Sequence, residues 1–548
     1  MKILFVNWKD INHPQSGGAE VVLWQILKRL VQNGYQVSLL TVVYQKNGIE
    51  SPEVDEIDGI KIFRVGKNKF LHSVQANLYY QKKLKNEFDL VVEMVNTAPY
   101  FIGFNILWNN FWQNLKYKIQ NKFTKKSNKN QTFEKPENGK LEKKNDRDEN
   151  YKIKENLQNM ESNYLKNSPK NTKFALFYHQ LAREIWWLET KIPINFIGFY
   201  LLEPIATFIQ SRLGCKTITV SESSKNDLAR FGFDKEKIAI ISEGIDNEPL
   251  ENLGRQLPKD DIFTVLYHGS LRAMKRPIEV LKSFEKLTKL IQNWQNENPK
   301  LAQKIQNNLI EKINKIEKMN EKTEQNSNQN TFKENKDLQK QNLQSDLTNQ
   351  KQSKLEINIK NKTEIENQPK VETNAQIQQK VVTVKKEETN FIPNSQNSSQ
   401  IPCQLWISGG GQLLEECQIF CRGEKITNFT TFFGRTSDEQ KLALMQKSTV
   451  LVATSLKEGW GLIVTEGNSM GTPAVVYDVD GLRDSGSLAG NFVVEASSTA
   501  MANQLFELWK IWYFEKEKYV EICTQALKTS KKITFEQCYE DFEKIITN

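Results

Sequence analysis

The chain has 548 residues, of which 38% are hydrophobic and 26% are charged. This length predicts two to four domains, and this composition excludes a wholly disordered chain or a collagen-like fibre. The net charge of +9 is concentrated in residues 116–173, which hold 16 Lys or Arg against 8 Asp or Glu. A nucleic-acid-binding face would instead concentrate its Lys and Arg residues on a patterned element. We therefore expect no nucleic-acid partner.

The first predicted element is a strand over Lys2–Asn7, followed by the loop Gly17-Gly18-Ala19-Glu20 and a helix with apolar positions between residues 21 and 31. Gln36–Val43 is an apolar run typical of a buried parallel strand. Further strands are predicted at Ile60–Val65, Asp89–Val92, Phe174–Tyr178, Thr217–Val220 and Ile238–Ile241. This alternation of strands and helices predicts a doubly wound parallel sheet.

A second α/β unit begins with a strand at Phe263–Tyr267 and a helix at Ile278–Gln292. Its later strands are predicted at Gln404–Ser408, Phe429–Phe433, Val450–Ala453, Ala474–Tyr477 and Phe492–Val494, with helices at Gln412–Cys421, Ser437–Lys447 and Ile463–Met470. The predicted fold class is therefore α/β, with two Rossmann-like parallel-sheet domains facing across a cleft, where ligands commonly bind.

Two low-complexity segments, residues 116–173 and 296–400, interrupt these domains. They are too poor in apolar residues to offset the entropy of ordering, although residues 299–324 keep a helical spacing. We expect an N-terminal domain over residues 1–245, a C-terminal domain over 246–520 and a helical segment over 521–548 that packs back toward the first domain.

The six cysteines include no Cys-x-x-Cys pair, which predicts reduced thiols and a cytoplasmic protein. The longest apolar stretch, Ile192–Ile209, is interrupted by Glu203-Pro204. It is shorter than the roughly 20 residues that a spanning helix needs, so no transmembrane segment is predicted.

Three loops carry residues suited to an anionic, hydroxylated ligand. Gly17-Gly18 follows a strand and precedes a helix, which favours either an anion site or a simple tight turn. The segment His268–Pro277 places Arg272, Lys275 and Arg276 at the end of a strand, where they would suit a diphosphate or form a solvated basic turn. The third loop, Glu458-Gly459-Trp460-Gly461, leads into a helix that contains Glu466. If the carboxylates of Glu458 and Glu466 are buried, they need hydroxyl partners. The two glycines of the loop expose backbone amides at the N-terminus of the helix.

In combination these motifs identify the chain as a member of glycosyltransferase family 4 (group 1), which has the GT-B fold. The resemblance covers nearly all of the chain outside the two low-complexity segments. It rests on the Gly-Gly-Ala-Glu loop and on Tyr178–Gln180, Val220–Lys225, Ser242–Asp246, Ile407–Gly411, Glu458…Glu466, Gly471–Val476 and Phe535–Cys538.

The resemblance implies a role for each of these positions. Glu466 is expected to bind the nucleotide ribose, Glu458 and His179 to lie near the donor sugar, and Lys275 to hold the diphosphate. The implied catalytic residues are Glu458, His179 and Lys275, and the implied donor-binding residues are Gly18, Arg272, Lys275, Gly461, Leu462, Ile463 and Glu466. Ser270 stands where the family usually has arginine, and Arg272 is the candidate for supplying that charge.

The implied activity is a retaining transfer of a sugar from a UDP- or GDP-sugar to a glycan or lipid-linked acceptor, in surface polysaccharide or glycolipid assembly. The nucleotide-sugar is a substrate, and neither a cofactor nor a metal is expected. Asp478-Val479-Asp480 resembles a metal-binding Asp-x-Asp motif, but it follows a strand and we interpret it as structural. The alternatives are a nucleotide-sugar epimerase or phosphorylase on the same fold and a non-catalytic sugar-binding scaffold.

Apolar and aromatic residues also raise the question of a membrane. Residues 101–112, Trp186-Trp187 and Ile194–Phe208 are rich in aromatic and aliphatic side chains, and the first of these stretches precedes the Lys-rich segment. An aromatic face beside cations suits peripheral contact with the inner face of an anionic membrane. The competing interpretation is ordinary core packing next to a solvated segment.

Overall fold

The computed structural model describes residues 1–46, 48–67, 71–95, 99–107, 172–248, 262–308, 311 and 402–547. The low-complexity segments lie outside the described residues except at their ends. Residues 299–308 are helical, as the spacing in that region predicts.

The first sheet has eight strands in the order β10-β9-β8-β7-β1-β2-β6-β5, and all neighbours are parallel except β5 and β6. The strand bounds are β1 Lys2–Val6, β2 Gln36–Thr41, β5 Val54–Ile57, β6 Ile60–Arg64, β7 Leu90–Val95, β8 Lys173–Tyr178, β9 Lys216–Thr219 and β10 Ile238–Ile240, with a separate hairpin of β3 Gln45–Lys46 and β4 Ile49–Glu50. The antiparallel edge strand β5 and the hairpin were not predicted.

The second sheet has six parallel strands in the order β13-β12-β11-β14-β15-β16. Their bounds are β11 Phe263–His268, β12 Cys403–Ser408, β13 Thr430–Gly434, β14 Val450–Ala453, β15 Ala474–Tyr477 and β16 Phe492–Val494. The prediction of two doubly wound α/β domains is confirmed, because both sheets consist almost wholly of parallel strands, and central strands such as β14 and β15 are buried along their whole length.

Helices cover both sheets. Those of the first half are α1 Gly18–Gln32, α2 His72–Tyr79, α3 Ile185–Glu189, α4 Ile194–Ile197, α5 Glu203–Ser211 and α6 Glu222–Arg230. Those of the second half are α7 Pro277–Glu297, α8 Leu414–Gly423, α9 Asp438–Lys447, α10 Leu462–Ser469, α11 Leu482–Gly486, α12 Ser498–Phe514, α13 Lys516–Ser530 and α14 Phe535–Thr547. None of the helices described is long and apolar enough to cross a bilayer.

The last helix, α14, returns to the first sheet. Phe542 is fully buried there, with its ring centroid 5.7 Å from that of Phe5 and 6.4 Å from that of Phe177. The chain thus crosses between the two sheets twice, once before β11 and once before α14. The domain boundaries proposed from the sequence stay predictions.

A buried carboxylate lies within the first sheet. Glu93 on β7 accepts hydrogen bonds from the backbone N–H of Tyr100 at 2.7 Å and from the side-chain amide of Gln210 at 3.2 Å. Burial raises the pKa of Glu93 to about 7, although the backbone N–H groups around Tyr100 oppose that change. The carboxyl group is therefore protonated in the folded protein at pH values where it is ionised in the unfolded chain.

The pH dependence of stability tests this assignment. Between pH 4.5 and about 7 the folded state binds the Glu93 proton more tightly than the unfolded state. The free energy of unfolding of the wild type, relative to that of Glu93→Gln, should therefore fall with rising pH by at most about 1.4 kcal/mol per unit. Denaturant titrations of both proteins measure this difference, and parallel pH profiles would contradict it.

Candidate functional site

The two domains meet at the loop that joins β14 to α10. A Cβ atom added to Gly459 would lie 2.7 Å from the carbonyl oxygen of His179 in the first domain. The next residue, Trp460, is buried among the apolar side chains of the first sheet. Glycine is therefore required at 459 for the backbones to approach this closely, and the approach places Glu458 at the boundary between the domains.

The basic segment after β11 is held by the glycine-rich loop after β12. The amide of Gly269 donates to the carbonyl of Ser408, and the amide of Leu271 donates to that of Gly410, both at 3.0 Å. The chain then forms a short 3₁₀ turn over Ala273–Lys275. Two adjacent parallel strands thus fix the position of Lys275 at the carboxyl edge of the sheet.

Lys275 and Glu458, 183 positions apart in the chain, form an ion pair in this edge. The hydroxyl of Ser455 also donates to the Glu458 carboxylate at 2.6 Å. Both charged side chains are partly exposed, with 25% and 14% of their surfaces accessible. The structure therefore brings two of the three predicted catalytic residues into contact.

The N-terminus of α10 lies next to this pair. Gly461 precedes the helix with a φ of +92°, and the first amides of a helix have no intrahelical carbonyl partner. A Cβ atom on Gly18 would lie 2.8 Å from Cδ1 of Leu462, so the predicted N-terminal glycine loop borders the same helix end. The helix dipole and these amides favour an anion beside Leu462 and Ile463.

Glu466 lies one turn further along α10. Its carboxylate accepts from the ammonium of Lys441 at 2.9 Å, and Lys441 is also 3.1 Å from Asp438. Burial disfavours the charged form of Lys441, but Glu466 and Asp438 outweigh it and raise the pKa of the lysine. Sequence reasoning missed Lys441, because no local motif connects it to a glutamate 25 positions later.

His179 follows β8 and is held from two sides. Its Nδ1 lies 2.8 Å from a carboxylate oxygen of Glu243, and its ring stacks on Phe177 with centroids 5.1 Å apart. Because a carboxylate accepts hydrogen bonds, Nδ1 carries a proton and Nε2 lies on the far side of the ring. The sequence motif around Glu243 was recognised, but this partnership was not predicted.

Arg272 is about half exposed. Its Nε donates to the Ser270 hydroxyl at 3.0 Å, and its guanidinium lies 4.0 Å from Glu189 of the first domain. The Arg272 side chain therefore lies against Ser270, the position at which the family resemblance expects an arginine. Its guanidinium is directed toward α3. Its polar contacts do not include the Lys275–Glu458 pair.

The aspartates of the Asp-x-Asp segment are paired with cations. Arg483 bonds to Asp478 and lies 3.2 Å from Asp480, and Lys457 is 3.9 Å from Asp480. Both aspartates are therefore paired with cations of the same domain, and the interpretation of the segment as structural stays a prediction. Among the residues that the structure describes, no group of three or more His, Cys, Asp or Glu side chains is arranged around a common point.

A buried ion pair links the domains beside the site. Lys457 of the β14–α10 loop bonds to Asp227 of α6, and less than a tenth of either side chain is exposed. The amide of Ser223 also donates to Asp484 across the boundary at 3.3 Å. These contacts hold the loop that carries Glu458 against the first domain.

Removing one member of this pair should be costly. Lys457→Met leaves the buried carboxylate of Asp227 without its lysine partner. We therefore expect the free energy of unfolding to fall by about 3 kcal/mol. Lys518→Met is the matched control, since its pair with Glu515 is exposed and should change stability by less than about 1 kcal/mol. Denaturant titration measures both values, and equal effects would contradict the assignment.

Comparisons with known proteins agree with this architecture. Residues 385–531 match the family model of glycosyl transferases group 1. No curated protein matches the chain.

Three of the solved structures that are similar over the full chain share 11% or 12% sequence identity with it. Sucrose-phosphate synthase from Thermosynechococcus elongatus has a TM-score of 0.52 at 12% identity, with 100% of this chain and 98% of that chain covered. Anabaena Alr3699/HepE in complex with UDP-glucose has a TM-score of 0.51 at 12% identity, with 100% and 99% covered. WaaG, a glycosyltransferase involved in lipopolysaccharide biosynthesis, has a TM-score of 0.53 at 11% identity, with 100% of both chains covered.

At these identities the solved structures establish the fold, and the family model identifies the domain. Assignment to family 4 within the group stays a prediction. The chain carries a group 1 glycosyl transferase domain within a two-domain GT-B fold.

Proposed function

We propose that this protein is a retaining glycosyltransferase that moves a sugar from a UDP- or GDP-sugar to an acceptor hydroxyl. The observation that supports this most directly is the position of the Lys275–Glu458 pair beside the N-terminus of α10. A cation, a set of helix amides and a carboxylate in one cleft complement a diphosphate joined to a polyhydroxylated ring.

The diphosphate is the leaving group, and its growing negative charge has to be stabilised. In our proposal Lys275 and the amides of Gly461, Leu462 and Ile463 provide this stabilisation without a metal. Because Glu458 and the loop contacts already hold Lys275 in place, little reorganisation is needed when charge develops. Glu458 also accepts hydrogen bonds from hydroxyls of the donor sugar, and Gly18 closes the phosphate side of the site.

Glu466 binds the ribose in this proposal. A carboxylate is a good acceptor for the paired ribose hydroxyls, as in other nucleotide-binding folds. Lys441 holds this carboxylate in one orientation before the nucleotide arrives. Arg272, at the boundary between the domains, adds positive potential on the path by which the donor enters.

The chemical step is proposed to take place on one face of the sugar. The acceptor oxygen forms a bond to the anomeric carbon as the bond from that carbon to the diphosphate oxygen breaks, and the hydroxyl proton passes to the departing phosphate. His179, held by Glu243, contacts the donor sugar through Nε2 and orients it for this attack. The configuration at the anomeric carbon is therefore retained.

The acceptor is proposed to be a glycan or a lipid-linked sugar in the assembly of a surface polysaccharide or glycolipid. WaaG is described as acting in lipopolysaccharide biosynthesis and HepE was solved with UDP-glucose, so UDP-glucose is the first donor to test. We propose that the protein works at the cytoplasmic side of a membrane.

Substitutions of Lys275 and Glu466 test whether the nucleotide-sugar donor binds at the proposed site. Lys275→Met should lower kcat/KM for donor hydrolysis or transfer by roughly 100-fold or more, because a preorganised cation is lost. Glu466→Gln should act mainly through a higher KM for the donor. Lys282→Met and Glu517→Gln are matched controls, since both side chains are exposed. Unchanged rates in both site variants would show that the donor binds elsewhere.

The stereochemical outcome tests the proposed reaction. With an α-linked UDP-sugar the product should carry an α linkage, measured by the anomeric proton coupling constant in NMR spectra of the product. An inverted product would rule out the one-face mechanism. Conversion of the free donor to another nucleotide-sugar without an acceptor would instead favour an epimerase.

A further inference from the structure

An apolar ridge projects from the first domain between β8 and β9. We use this name for residues 192–209, which comprise α4, a turn of π helix over Gly198–Leu202 and the start of α5. Its large apolar side chains are between 37% and 83% exposed: Ile192, Ile194, Phe196, Ile197, Tyr200, Leu201, Leu202, Ile205, Phe208 and Ile209. Contiguous apolar surface of this kind is rare on monomeric proteins and marks an interaction site.

The ridge presents no charge to solvent. Glu203 is the one charged residue in its sequence, and its carboxylate is directed inward. It accepts from the backbone amides of Ala182 at 2.5 Å and Arg183 at 2.7 Å, and from the indole N–H of Trp186 at 3.2 Å. The outer face is therefore uniformly apolar, while its base is fixed to the loop that follows His179.

The shape of the ridge is convex. Three consecutive side chains, Tyr200, Leu201 and Leu202, are each at least half exposed, which requires a segment that protrudes from the domain. Tyr200 packs against Phe196 and Trp187, with ring centroids 4.7 Å and 6.2 Å away. Aromatic residues of this type are favoured where one side is apolar and the other is wet.

Cations flank the ridge at both ends. Lys191 precedes it and is exposed, and Arg212 follows it with its guanidinium 4.7 Å from the ring centroid of Phe208. Anionic lipid headgroups complement this arrangement. In a two-fold contact with a second copy of the chain, the same cations would approach their own equivalents, which disfavours that occupant.

We propose that the apolar ridge inserts into the interfacial region of an anionic bilayer and docks the protein on the membrane. Ten exposed apolar side chains without a charged residue among them match the lipid boundary, and the flanking cations match the headgroups. This step depends on the ridge alone and does not require the proposed transferase activity.

The contacts of the ridge also fix where a docked membrane would lie relative to the cleft between the domains. Glu203 fixes the ridge to Ala182 and Arg183, three and four positions after His179, and Glu189 of the adjacent α3 reaches Arg272. The docked bilayer would therefore lie beside the mouth of the cleft. This further step rests on the proposed function, and it gives a lipid-linked acceptor a short path to the site.

Vesicle flotation of the full-length protein tests the docking. The wild type should float with vesicles of phosphatidylcholine and phosphatidylglycerol, and the triple variant Phe196→Asp, Leu201→Asp, Phe208→Asp should lose at least roughly tenfold in partition coefficient. Ile419→Asp, Val520→Asp is the control, because these apolar side chains are equally exposed in the second domain. It should float like the wild type.

Thermal shift with UDP measures whether the triple variant is still folded and still binds the nucleotide. This measurement separates a loss of membrane docking from a loss of folding, and it does not depend on sugar transfer. An unchanged shift with lost flotation supports the proposal even if the protein transfers no sugar. Three results would overturn it: no flotation of the wild type, flotation that the triple variant retains, or a wild-type dimer that the variant converts to monomer without any vesicle binding. The second result would assign membrane binding to another part of the chain, and the third would assign the ridge to a second copy.

Discussion

The close approach of the β14–α10 loop to the first domain is the constraint on which the site depends. Gly459 meets the His179 carbonyl without space for a side chain, and the buried Lys457–Asp227 pair fixes the preceding residue. Because Glu458 lies between these two contacts, its carboxylate is held at the domain boundary, where it bonds to Lys275 at the same edge of the second sheet. The second domain thus supplies the ion pair and the N-terminus of α10, and the first domain fixes the loop that carries Glu458.

Each acidic group proposed for the site already has a positively polarised partner. Lys275 pairs with Glu458, Lys441 with Glu466, and the His179 ring donates to Glu243. Partly buried charges are tolerated only with such partners. The arrangement therefore stabilises the side chains before a donor binds, and it leaves the loop and helix amides to meet the diphosphate.

Much of the fold is predictable because parallel strands buried on both faces are near-continuous apolar runs. Val450–Ala453 and Ala474–Tyr477 are predicted with the bounds that the structure has. The edge strand Val54–Ile57 does not have such a run, because exposed and partly buried side chains alternate along it and it pairs antiparallel with its neighbour. Motifs likewise locate Lys275 and Glu458, but Lys441, Glu243 and Lys457 gain their roles through partners distant in the sequence. Such pairings are set by tertiary packing within each domain and, for Lys457, between the two domains, and local patterns do not encode them.

The central claim is that the diphosphate of a nucleotide-sugar binds between Lys275 and the N-terminus of α10. A crystal structure of the protein with UDP-glucose tests it most directly. We predict a phosphate oxygen about 2.7–3.2 Å from Lys275 Nζ and from the amide of Leu462 or Ile463, with the ribose hydroxyls on Glu466. A nucleotide bound away from these groups, with the Lys275–Glu458 pair untouched, would contradict the account.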